Sequence, residues 1–273
     1  PRSSVSPGST APARFWMYWR MWAVDSIEIL GSRVDDATYA DLIEHVDAFV
    51  ESGKPHHIIT VNVEMLVAAH DDPAFAAVLE GGALNVADSV GLMLAARLLG
   101  RPLRERVTGS DGIHRLAAHS ARRGYRLYLL GAAPGVAELA AQSLRAANTG
   151  LEVAGTHAGS PSAAEEDDII RRIRAAKPDL LLVAYGVPAE EKWIARNRLR
   201  LGVPVMMGVG GAFDFAAGVT KRAPGWMRRL GLEWLFRLIS EPWRWRRQLA
   251  LPRFVALVLR QTLGAQARRG PAE

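Results

Sequence analysis

The chain contains no cysteine among its 273 residues, which excludes a disulfide framework and any thiolate metal site and fits a reducing compartment. It has no run of about 18 uninterrupted apolar residues, so no membrane-spanning helix is expected. Its amino-terminal stretch lacks the basic, then apolar, then small-residue plan of a secretory signal, and the body is expected to stay cytoplasmic. No Asp-x-Asp pair occurs, the seven histidines are scattered, and no His/Asp/Glu group has metal-ligand spacing. No bound metal or other cofactor is therefore expected. The absence of Gly-x-Ser-x-Gly argues against a nucleophile-elbow hydrolase. The absence of G-x-G-x-x-G disfavours a hydride-transferring dinucleotide enzyme. No segment repeats at a fixed period, which excludes a solenoid.

What is present is enough apolar sequence, 49% of the residues, for a sizeable core. The charge is unevenly placed. From Lys221 onward there are 12 Lys/Arg against 3 Asp/Glu, a net +9, so the preceding 220 residues carry −3 of the total +6. Residues 1–23 divide into a Ser/Pro/Ala-rich lead, expected to be disordered, and the aromatic, basic run Phe15–Trp22. That run suits a partner or membrane interface, a packed first helix, or no function at all.

From residue 24 the pattern alternates. Apolar runs at Ser26–Leu30, His57–Val63, Ala83–Ala87, Tyr125–Leu130, Leu151–Thr156, Leu180–Tyr185 and Val205–Val209 read as strands. Helical spacing separates them over Asp36–Val50, Glu64–His70, Val90–Leu99, Asp111–Arg123, Val136–Ala147, Ala163–Ala176 and Ala189–Arg200. Such alternation implies parallel βαβ units. The expected fold class is α/β: a Rossmann-like parallel-sheet domain over 24–220 with a helical, basic C-terminal appendage over 221–273. The His56-His57 pair reads as a strand-edge feature rather than a ligand.

In such a sheet, ligands gather at the carboxyl ends of the strands. Asp88 ends one predicted strand, where it serves either as the N-cap of the next helix or as a general base. Thr60 and Asn62 end another and share one side by alternation, a costly burial unless both are hydrogen-bonded. Gly131-x-x-Pro-Gly135 joins a strand to a helix and offers backbone N–H groups to a phosphate, or is a plain turn. The Gly-dense stretch from Gly208 permits close approach to a ligand, with Asp214 facing a nucleoside or capping the segment after it. The Arg/Trp-rich tail suits nucleic acid, an anionic membrane or plain solvated helix. Its Leu, Ile, Phe and Trp content favours the membrane, and no nucleic-acid partner is expected.

Taken together, these motifs resemble the WecG/TagA/CpsF family of glycosyltransferases. The likeness runs through Thr60-Val-Asn62, Ala87-Asp88 with Gly91, Glu105-Arg106-Val107-Thr108-Gly109-Ser-Asp111, the segment Gly208–Gly218, Arg222-Ala-Pro224, Gly231-Leu-Glu-Trp234, Arg237-Leu and Glu241-Pro-x-Arg244. It implies an inverting, metal-independent transfer of a sugar from a UDP donor to a polyprenyl-diphosphate-linked saccharide, in surface polysaccharide synthesis at the inner face of the cell membrane. The sugar would be N-acetylmannosamine, its uronic acid, glucose or glucuronic acid. The resemblance makes Asp88 the general base and places Thr60 and Asn62 near sugar and acceptor. Arg106 would face diphosphate or sugar, Asp214 the nucleoside, and Arg237, Arg244 and Arg247 the diphosphate charge. The chain departs from the family at Ser89, where a second Gly is usual, at Glu190, where a Gln is usual, and at Ser160, where an aromatic often follows Gly159. An extra negative charge at Glu190 calls for a cation nearby, with Lys192 the candidate. The competing expectation is a non-catalytic Rossmann-like scaffold that recruits membrane or partners through its tail.

Overall fold

A computed structural model describes residues 24–229, 231–242, 245 and 249–269. The chain opens with a hairpin, β1 (Ser26–Ile29) and β2 (Ser32–Asp35), turned at Leu30 and Gly31 with φ of 52° and 81°. Two successive positive φ values match the twist of the flanking strands. Then follow α1 (Tyr39–Ser52), β3 (His56–Val61), α2 (Val63–Asp71), α3 (Pro73–Glu80), β4 (Leu84–Ala87), α4 (Val90–Leu98), α5 (Gly109–Arg123) and β5 (Arg126–Gly131). The series continues with α6 (Val136–Ala147), β6 (Glu152–His157), α7 (Glu166–Ala176), β7 (Leu180–Ala184), α8 (Ala189–Leu201), β8 (Val205–Gly208) and α9 (Ala212–Ala216). Helices α10 (Gly225–Arg229), α11 (Glu233–Ser240) and α12 (Ala250–Arg269) form the C-terminal region. Strand β2 and helices α3 and α9 are not expected from the sequence.

One eight-stranded sheet runs β1-β2-β4-β3-β8-β7-β5-β6, and only β1 is antiparallel. The α/β class with a parallel sheet and a helical C-terminal region is therefore as expected. Strands β3 and β8 lie side by side at the centre, yet their following helices leave on opposite faces. Val63, Met65 and Leu66 of α2 pack in one core cluster with Ile59 and Val61. Ala212 and Phe213 of α9 pack in another, with Ile58 and Met207. Diverging connections after adjacent parallel strands open a crevice at their carboxyl ends.

The C-terminal region is docked on this body. Phe254 and Val258 of α12 are buried in the cluster of α2 and α4. Gln261 ties α12 to the first hairpin, donating to the Glu28 carbonyl at 3.1 Å and accepting from the Leu30 N–H at 3.0 Å. No helix among the described residues is long and apolar enough to cross a membrane.

Candidate active site

The crevice is a cleft of about 830 Å³. Its floor comes from the ends of β3, β4, β7 and β8 and its roof from α11 and α12; Thr60, Asn62, Asp88, Arg106, Glu190, Asp214 and Arg237 all line it.

Asp88 is not a helix cap. Ser89 holds the N-cap position of α4. The Asp88 N–H donates to the Val61 carbonyl at 2.8 Å, which fixes the residue beyond the end of β4. Its carboxyl accepts from the Gly109 N–H, yet burial pushes its pKa up to about 7. The charge of Arg106 pulls it back; Glu233 and Asp111 add to the rise. The loop carrying Arg106 is pinned on both sides. The Tyr39 N–H donates to Glu105 at 2.8 Å, the Val107 N–H to the Ala87 carbonyl at 2.8 Å, and the Thr108 N–H to the Tyr39 hydroxyl at 2.9 Å. A half-ionised carboxyl beside a guanidinium, at the bottom of a cleft, suits proton abstraction next to an anionic ligand.

Thr60 donates to the Gly208 carbonyl at 3.2 Å, so its buried hydroxyl is satisfied by the neighbouring strand. Asn62 caps α2: its carboxamide oxygen accepts from the Met65 N–H at 3.0 Å, and its amide donors belong to the cleft wall.

Glu190 is almost fully buried and accepts from the N–H groups of Gly186 at 2.9 Å and Gly210 at 3.1 Å. Burial first, and then the neighbouring Glu191 carboxyl, push its pKa well above the usual carboxylate range. Lys192 does not balance it, contrary to expectation: its ammonium pairs with Asp72 at 2.7 Å. Helical geometry explains the miss, because residues two apart point to different sides of α8. Backbone N–H groups take the place of the expected cation, and burial favours the neutral carboxyl. Beneath it, Glu191 meets His57 Nε2 at 2.5 Å, both side chains buried. His57 is thus an interior residue of the central strand β3 rather than a strand-edge one.

The appendage enters the site through Arg222, which donates to Asp111 at 2.6 Å and to Glu233 at 3.5 Å. Phe215 lies 5.4 Å from the Arg222 guanidinium and 4.9 Å from that of Arg237. Such contacts hold both cations by cation–π attraction. Arg237 and Asp214 both border Gly211, where an added Cβ would come within 3.1 Å of the guanidinium and 3.4 Å of the carboxylate.

Gly131 is the one described member of the expected set that does not line the cleft. It ends β5 at φ 104° and packs on β7, where a Cβ would come within 2.6 Å of the Ala184 carbonyl. Arg244 and Arg247 lie outside the described residues, as does the Phe15–Trp22 run. Arg222, Glu233 and the His57–Glu191 pair are not singled out as site residues by the sequence. Arg222 and Glu233 stand in the quoted motifs, but only the fold shows that Arg222 bridges Asp111 and Glu233. Among the described residues, no group of three or more His, Asp or Glu side chains is placed to hold a metal ion.

Comparison with known proteins gives a consistent result. The model of the glycosyl transferase WecG/TagA/CpsF family matches residues 27–268. An N-acetylglucosaminyldiphosphoundecaprenol N-acetyl-beta-D-mannosaminyltransferase of Bacillus subtilis (strain 168) is 34% identical over 204 residues, 75% of this chain and 79% of the relative. Its namesake from Bacillus spizizenii is 31% identical over 82% of this chain and 87% of the relative. That of Staphylococcus aureus (strain MW2) is 29% identical over 84% and 90%.

Proposed function

The chain belongs to the glycosyl transferase WecG/TagA/CpsF family, and on that premise we propose that it moves N-acetylmannosamine from a UDP donor to a polyprenyl-diphosphate-linked N-acetylglucosamine. It is a glycosyltransferase of polysaccharide or cell-wall biosynthesis; the transferred sugar and the acceptor are inferred from the names of its relatives, and the UDP carrier from the resemblance to the family. The observation that carries the reading is Asp88, raised to about 7 beside Arg106 at the bottom of a cleft roofed by the appendage.

In this reading Asp88 takes the proton of the acceptor hydroxyl as its oxygen attacks the anomeric carbon. The bond to the UDP oxygen breaks on the opposite side, and UDP departs with the electron pair. The configuration inverts. Arg106 and Arg237 supply the positive charge that the departing diphosphate needs, joined by Arg244 and Arg247 from the appendage. Thr60 and Asn62 border the sugar, and Asp214 the nucleoside. The protein works at the inner face of the cell membrane, and no helix among the described residues is long and apolar enough to cross it. Trp226, Trp234, Ile239, Trp245 and Leu249 are all exposed on the C-terminal region, which supports interfacial contact.

The test is transfer by the full chain to N-acetylglucosaminyl-diphosphoundecaprenol in detergent, with each of the four UDP sugars and with or without EDTA. N-acetylmannosamine transfer insensitive to EDTA is expected. Preference for another of the four sugars would overturn the donor assignment, loss of transfer with EDTA would overturn metal independence, and no transfer from any would overturn the activity.

Glu190 serves here as a neutral acid. A protonated carboxyl presents one donor and one acceptor, as a carboxamide does, whereas its ionised form repels a diphosphate. The acid limb of kcat/KM is therefore expected to rise through about pH 7 as Asp88 ionises and to fall again at alkaline pH as Glu190 does. Glu190→Gln should remove the alkaline fall and keep the acid limb. An alkaline limb unchanged in that variant would assign it to another group.

A further inference from the structure

The cleft is not polar throughout. On its outer side α4 presents Gly91, Leu94, Ala95 and Leu98, the i, i+3, i+4, i+7 set that shares one helix face. Opposite them α12 presents Leu251, Phe254, Val255, Val258 and Leu259 at the same periodicity. The helices come together at Gly91, where an added Cβ would lie 3.7 Å from the Phe254 ring and closer still to Val63. Along each helix the apolar stripe runs on for about 10–13 Å at 1.5 Å per residue. Leu94 and Val255 remain 52% and 55% exposed, and Leu98 and Leu259 58% and 49%. Four large, half-exposed aliphatic side chains thus line the same cavity as Asp88. A groove lined in this way is a poor place for a sugar or a nucleotide, both of which need hydrogen-bonding partners.

We propose that the α4–α12 groove holds the first isoprene units of the acceptor's polyprenyl chain and so directs the attached diphosphate and sugar toward Asp88. The proposal rests on the acceptor assigned above and adds where its lipid lies. Continuity is the main support: the apolar stripe begins at Gly91, close in the chain to the base, runs to the half-exposed Leu98 and Leu259, and shares the cleft with the exposed Trp234. The charges fit a diphosphate stopping by the base, since Arg106, whose charge acts on Asp88, and Arg237 line the same cleft. Among the described residues, no charged side chain of α4 or α12 lines the cleft.

Two measurements test this on the full chain. The first compares an undecaprenyl-diphosphate acceptor with one carrying a single isoprene unit, both in detergent. Leu94→Glu and Leu259→Glu sit at half-exposed positions and are expected to fold. Each should lower the kcat/KM ratio of long over short acceptor by about ten-fold or more, the loss expected when one aliphatic contact is replaced by a charge. An equal effect on both acceptors, or none on either, would overturn the groove while leaving the transferase activity in place. The second measurement needs no turnover: a polyprenyl diphosphate bearing a diazirine on its second isoprene is photolysed with the wild-type protein. Cross-links confined to 90–98 and 250–259 are expected. Labelling that avoids those peptides would overturn the assignment even if transfer is never observed.

Discussion

Asp88→Asn is expected to lower kcat by about 10²–10⁴, the range for a lost general base, with little change in UDP affinity. Asparagine keeps the shape and can still accept the Gly109 N–H, so the cleft should survive the exchange. What it cannot do is take a proton. Stability supplies the control. The folded-state pKa of Asp88 is raised from 3.8 to about 7, so the folded protein binds this proton more tightly than the unfolded chain does. For a carboxyl shifted in that direction, stability falls as pH climbs between the two values and stays low above the upper one. Asp88→Asn has no proton to lose and should unfold at higher denaturant than wild type at pH 8, with the gap closing near pH 4. An inactive variant that is also less stable at pH 8 would point to damaged folding, and near-wild-type turnover would remove Asp88 from the role of base. Gain of stability with loss of turnover is the pattern expected where a site holds a charge against its own burial.

Much of this arrangement is legible in the sequence because it is written in local patterns. The β3, β4, β7 and β8 runs are largely apolar, and β3 is rich in β-branched residues. The polar residues that interrupt them at Thr60, Asn62 and Asp88 stand where a parallel sheet exposes its ligand end. The first hairpin escapes such a reading for a specific reason. Its turn uses Leu30 in a left-handed conformation, a position where Asn, Asp or Gly is the usual signal, so nothing marks β2 as a strand. Helix α3 escapes it because Pro73 reads as a break, although proline at the first helical position is tolerated and Asp72 caps it.

The pairings across the fold are harder, because sequence spacing says nothing about which residues 50 or more apart will meet. Asp111, Arg222 and Glu233 form one chain of ion pairs between the sheet domain and the appendage. That chain puts Glu233 close enough to raise the Asp88 pKa. The consequence is that the charge state of the base depends on where the appendage sits. Spacing also misplaces the counter-charge of Glu190. Lys192 is the near choice along the chain, but α8 turns it toward Asp72, and the carboxyl relies on the turns at Gly186 and Gly210 instead.

The second large effect is expected beneath the cleft and falls on stability. His57→Leu should destabilise the protein by about 1–3 kcal/mol or more, the cost of leaving a buried carboxyl without its hydrogen-bond partner. Glu191 makes that cost hard to escape. One of its carboxyl oxygens already has no hydrogen-bond partner among the described residues, and the other meets His57 at 2.5 Å. Nor can the side chain move toward β8, because it packs on Gly208 so closely that any Cβ there would collide with it. Replacing both partners, His57→Leu with Glu191→Leu, removes the stranded polar group along with its partner and should be less damaging than the two single changes summed, by more than about 1 kcal/mol. Guanidinium unfolding of the wild type, both single variants and the double variant measures that coupling directly. A His57→Leu protein within about 1 kcal/mol of wild type would show that Glu191 does not depend on His57.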